Sequence, residues 1–233
     1  MKLLLLVIFQ FSLTFAFSQE IEVLKISSFK HDYIVTDLQY LEDIKDTARV
    51  EFIKEIKLSG DHQDLLINNW FNALRSKSKE SGANLYYIEE VTGNETTYSI
   101  TIKLFFAGIN FMKINKTKAN KNTIYIFNQG RSKNDTAIFF LNQKKIIFEN
   151  KKYYAIATKP YQLYNISLTA KKNFKHNHSF PRDAASVFYI LPADKKSVIT
   201  NGAINTQGSI NFNKKKPIEC DYNLGRFLLE IYK

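Results

Sequence analysis

The chain has 233 residues, of which 45% are hydrophobic, 14% aromatic and 24% charged, with a formal net charge of +11. That composition is globular: a disordered chain carries fewer apolar residues, and collagen-like or low-complexity chains carry far more than 8 Gly and 4 Pro. The single Cys excludes an internal disulfide framework and speaks against a Cys-based zinc site.

Met1-Lys2 opens the chain, and Leu3 to Phe17 is apolar apart from Gln10, Ser12 and Thr14. Ala16-Phe17-Ser18 then places small residues two apart. A basic start, an apolar run and an A-x-S end form a secretory signal peptide, residues 1–18, with cleavage expected after Ser18. The apolar run is too short for a membrane anchor, which needs about 20 residues. No Cys follows it to carry a lipid, so the expected product is not a lipoprotein. No later stretch is apolar enough to span a bilayer, so the mature chain is expected to be periplasmic or extracellular.

Residues 19–107 read as a small α+β module. Ala48 to Leu58 has strand parity, with Val50, Phe52, Ile56 and Leu58 mostly on one side. Ser59-Gly60-Asp61 reads as a turn, with Asp61 as helix N-cap. Leu65, Leu66, Trp70, Ala73 and Leu74 recur at helical spacing, and Gly82 marks the stop. Leu85 to Val91 and Tyr98 to Phe106 read as two strands around a turn at 92–95. Glu89 and Glu90, as strand neighbours, are expected on opposite faces.

Residues 108–122, rich in Lys and Asn, read as a linker. From residue 123 to the end the chain reads as nearly all strand. The runs are Ile124–Phe127, Ala137–Leu141, Ile146–Phe148, Tyr153–Thr158, Leu163–Leu168 and Ser186–Leu191. Val198–Thr200, Ile210–Phe212 and Phe227–Tyr232 are further strand candidates. Turn signals at short, regular intervals indicate a mainly antiparallel β-sandwich. The expected fold class is therefore α+β, a small α+β module followed by that sandwich.

Two resemblances follow from these residues. The strand, the helix ending in Ser81-Gly82-Ala83-Asn84 and the two strands after it resemble a module of uncharacterised bacterial envelope proteins. Ile124-Tyr125-Ile126-Phe127, Asn142-Gln143-Lys144, Asn150-Lys151-Lys152-Tyr153 and Ser186-Val187-Phe188-Tyr189-Ile190 resemble an Ig-like β-sandwich module of exported bacterial proteins. The resemblance implies a bacterial envelope or secreted protein and transfers no functional residues.

Of 33 basic residues, 28 are Lys and 5 are Arg. Arg is the preferred side chain for bidentate phosphate and base contacts, so its scarcity, together with export, argues against nucleic acid as a partner. Lys214, Lys215 and Lys216 form the densest basic run, a candidate surface for anionic lipid or polysaccharide. His176 and His178, two apart, with Asp183 beyond them, form the densest polar cluster and the one candidate metal or hydrolytic site. Pro181 places that cluster at a loop, where an exposed polar turn is the simpler reading. Cys220, between Glu219 and Asp221, is expected to be a quiet thiol. No nucleophile elbow, P-loop, dinucleotide fingerprint or zincin motif occurs. The leading expectation is a non-enzymatic binding module for an envelope protein or glycan, without a cofactor. The alternatives are an enzyme built on His176, His178 and Asp183, or a basic surface binder.

Overall fold

The computed structural model describes residues 20–28, 37–61, 67–93, 97–128, 137–148, 153–168, 175–191 and 217–233. The fold is α+β, and it divides into two compact units, residues 1–112 and 113–233. The expected signal peptide and the strand candidates at 198–200 and 210–212 lie outside the described residues.

In the first unit the order is β1 (Glu20–Ile26), β2 (Gln39–Tyr40), a 3-10 helix (Ile44–Arg49), β3 (Glu51–Asp61), α1 (Ile67–Ser81), β4 (Leu85–Gly93) and β5 (Thr97–Phe106). The five strands form one sheet in the order β1-β3-β5-β4-β2. Every pair is antiparallel except β2 with β4. Alternation builds its buried face: Ile100, Ile102 and Leu104 lie on one side of β5, opposite Leu58, Ile56 and Tyr86. Helix α1 contributes Trp70, Phe71 and Leu74 to the core.

Three readings are corrected here. Ala48 and Arg49 belong to the 3-10 helix, not to the strand. Ser59, Gly60 and Asp61 are not a turn but the end of β3, paired with Ser99, Tyr98 and Thr97, so Asp61 is a strand residue rather than an N-cap. Gly60 serves a close approach instead, because a Cβ there would stand 3.1 Å from the Trp70 ring. Finally, a register shift between Ile88 and Glu90 breaks the alternation, and Glu89 and Glu90 are both exposed.

The Gly-Ala-Asn sequence after α1 has a clear physical role. Gly82 takes φ 73°. The Ala83 N–H then donates to the Ser78 carbonyl at 2.9 Å and the Gly82 N–H to the Lys79 carbonyl at 3.3 Å, which satisfies the last helix carbonyls. Asn84 grips Ala107 from both sides, accepting from its N–H at 2.9 Å and donating to its carbonyl at 2.8 Å.

The stretch expected as a linker holds a helix, α2 (Ile109–Lys118), which runs across the division between the units. Its Lys and Asn masked the buried pair Met112 and Asn115, three residues apart on one helical side. The second unit continues with β6 (Thr123–Asn128), β7 (Ala137–Leu141), β8 (Lys144–Phe148), β9 (Tyr153–Ala157), β10 (Leu163–Ser167), β11 (Lys175–Ser179), β12 (Val187–Leu191), β13 (Ile218–Cys220) and α3 (Tyr222–Tyr232). These strands form two four-stranded sheets, β11-β10-β7-β8 and β13-β12-β6-β9. The first is antiparallel throughout, and the second has one parallel pair, β6 with β12. Ile124, Ile126, Tyr189 and Leu191 of one sheet share a core with Phe139, Tyr164 and Ile166 of the other.

Residues 227–232, read as a strand, are the second half of α3. Asp221 caps this helix, its carboxylate accepting from the Asn223 N–H at 2.9 Å and the Leu224 N–H at 3.4 Å. Leu224, Phe227, Leu228 and Ile231 are buried at helical spacing. The helix meets β12 and β6 on the side opposite the shared core. There Tyr222 and Tyr232 pack on Phe188 and Phe127.

Candidate binding end of the second unit

Among the described residues no group assembles around the weak metal or hydrolytic candidates His176, His178 and Asp183. His176 and His178 lie not on a loop but on β11, opposite Ile166 and Tyr164 of β10. Asp183 is exposed in the following turn, at φ 59°. No group of three or more His, Cys, Asp or Glu among the described residues is placed to hold a metal ion. His178 instead forms a hydrogen bond with the Tyr189 hydroxyl, and its Nε2 stands 3.8 Å from a Glu219 oxygen. Burial, and then the negative charge of Glu219, push the Tyr189 hydroxyl well above the usual tyrosine range, so it keeps its proton. Phe180 packs beside the imidazole. This arrangement joins β11 to β12 and β13 and reads as a structural tie. Cys220 is a buried free thiol beside it, donating to the Phe188 carbonyl at 3.4 Å. Burial, then Asp221, push its pKa well up, as expected for a quiet residue. Lys214, Lys215 and Lys216 lie outside the described residues.

A different cluster stands out where β10 begins. Pro160 and Tyr161 occupy the centre of a turn in which the Gln162 N–H donates to the Lys159 carbonyl at 3.3 Å. Tyr161 has φ 60°, the left-handed region in which a turn normally places Gly or Asn. One long-range contact and two local ones hold it there. Its N–H donates to the Phe180 carbonyl at 2.6 Å. The Lys159 N–H donates to the Tyr164 hydroxyl at 2.7 Å, and that hydroxyl donates to the Gln162 side chain at 3.2 Å. The result is a ring 75% exposed, beside Leu163 at 58%.

A second turn lies alongside, since Phe180 leads directly into Pro181-Arg182-Asp183. The Ala184 N–H closes it on the Pro181 carbonyl at 3.3 Å. Asn122, at φ 52°, ties this turn back to the first. Its N–H donates to the Ala184 carbonyl at 2.9 Å, its side chain accepts from the Ala184 N–H at 3.1 Å, and its carbonyl accepts from the Thr158 N–H at 2.8 Å. The β7–β8 turn, Asn142-Gln143, has positive φ at both residues, the geometry of a two-residue hairpin. Asn142 is bonded on both sides to Asn165 of β10. Every non-glycine residue with positive φ among the described residues therefore belongs to one of these neighbouring turns. Left-handed residues that the surroundings hold in place gather at functional sites.

The sequence marked Lys159-Pro160 as a turn and Asp183 as polar, and went no further. No Gly or Asn announces a left-handed position at Tyr161, and the carbonyl that takes its N–H is far along the chain, at Phe180. Comparison with protein-family models, with curated proteins and with solved structures gave no match.

Proposed function

We propose that this chain is an exported, non-enzymatic bacterial binding protein that engages an envelope protein or glycan through the Tyr161 end of its second unit. Several features support that reading. The opening of the sequence has the form of a cleavable signal, and the helices among the described residues are too short and too polar to cross a membrane. The paired sheets of the second unit, with their shared core, are in keeping with an Ig-like sandwich, an architecture that presents loops from a rigid frame.

The observation that carries the proposal is Tyr161, a large aromatic side chain held in water by a turn that disfavours it. Exposed Tyr on a rigid turn gives contact area at low entropic cost, which is why binding surfaces favour it. The test is capture from envelope and medium extracts, at low and high salt, by residues 19–233 and by the Tyr161→Ala variant. A partner retained by the parent and lost by the variant is the expected result, and the salt series reads how much of the capture rests on charge. Equal capture by both would overturn the reading.

A further inference from the structure

This inference rests on the binding reading and gives its ligand a chemistry. The two linked turns at Tyr161 display Lys159 and Arg182, with Lys121 beside them, all exposed, against one acid, Asp183, while Lys144 and Lys145, also exposed, open β8 at the same end of the sheet, on alternate faces. Lys121 is bridged to Ala185, directly after the Asp183 turn. Lys144 and Lys145 follow the Asn142-Gln143 turn, and Lys159 and Arg182 each stand next to a turn proline. None of these six side chains has a described residue as ion-pair or hydrogen-bond partner. Four cations elsewhere do meet acids: Lys77 pairs with Glu80, Lys103 with Glu89, and Arg226 and Lys233 with Glu230.

From this juxtaposition we infer that the turn end binds an acidic polysaccharide. The centres of protein interfaces are depleted in Lys, which disfavours a folded protein as the occupant of a surface carrying four of them. A charged sugar chain matches both halves of the surface. Its repeating anionic groups meet cations set apart on rigid turns, and the apolar C–H face of a pyranose lies against the Tyr161 ring and Leu163. Because the turns are fixed by backbone hydrogen bonds, the backbone that carries the cations and the ring is in place before any ligand arrives, which limits the ordering cost of binding to that of the side chains.

The test uses residues 19–233 and four probes: alginate (carboxylated), dextran sulfate (sulfated), neutral dextran, and vesicles containing phosphatidylglycerol. Affinity is measured by calorimetry or biolayer interferometry over a salt series. Binding to alginate or dextran sulfate but not neutral dextran is expected, and the stronger of the two identifies the anionic group. Tyr161→Gly, which suits the left-handed turn, is expected to weaken that binding about tenfold without lowering the melting temperature. Lys159→Gln with Arg182→Gln is expected to weaken it and flatten its salt dependence. Flat titrations with both acidic polymers would overturn the proposal. So would binding that Tyr161→Gly leaves unchanged, or a preference for the vesicles, since either reduces the site to unspecific charge. If both acidic polymers fail while Tyr161-dependent capture from extracts persists, only the ligand chemistry falls. If that capture fails as well, the binding reading falls with it.

Discussion

Tyr161 sits in a backbone conformation that costs a residue with a Cβ about 1–2 kcal/mol, and Gly almost none. Asn122 and Asp183 share the conformation but belong to the residue types that tolerate it, so their cost is smaller. Tyr161→Gly removes the strain while adding the larger unfolded-state entropy of Gly, about 0.5–1 kcal/mol in the other direction. The expected net outcome is a gain of up to about 1 kcal/mol in a urea titration. A loss would show that the ring stabilises the fold by packing. A variant that is more stable and yet fails to bind would mark Tyr161 as a residue kept for contact, in line with the usual trade between stability and function. At this scale the sequence was partly legible: Pro160 announces the turn. The φ at 161 was not legible, because Tyr is not a residue type that signals it and the carbonyl that takes the Tyr161 N–H, that of Phe180, is far along the chain.

Helix α3 shows where element prediction went astray and offers the sharpest packing test. Gly225 lies in its first half, and a Cβ built there would stand 2.1 Å from Phe188 Cγ, well inside van der Waals contact. The ring cannot yield easily, since it is fully buried and stacked between Tyr125 and Phe127. Gly225→Ala is therefore expected to cost about 3 kcal/mol or more, although Ala is the better helix former by about 1 kcal/mol. Equilibrium denaturation checks the sign directly. The same glycine helped to hide the helix, and Phe227-Leu228-Leu229 reads as a short apolar run when taken without Asp221 and Leu224. Such runs do not separate strand from buried helix by periodicity alone. Strands β6, β7, β9, β10 and β12 were legible to within a residue or two because they alternate or are apolar between turn residues. Strand β11 was missed because Lys175 to Ser179 is polar throughout, and pairing with β10 rather than hydrophobicity defines it.

At the scale of the whole molecule, the α+β class and the excess of Lys were readable, but the parallel pairing of β6 with β12 was not. Val187 lies opposite Ile124, and no local signal specifies a partner so far along the chain. The position of the two rarest side chains has a practical consequence. The chain has one Trp and one Cys. Trp70 is fully buried in the first unit, and Cys220 is buried in the second. Because burial and Asp221 raise the Cys220 pKa, its thiol is expected to resist a disulfide reagent such as DTNB at pH 8 until the second unit opens. Rapid labelling of the native chain would contradict that burial. Trp70 emission shifts to the red only when the first unit opens. One denaturant titration of the unmodified chain thus yields two independent traces, a colour for one half and a chemical reaction for the other. Whether the halves melt together is then read by laying one trace over the other.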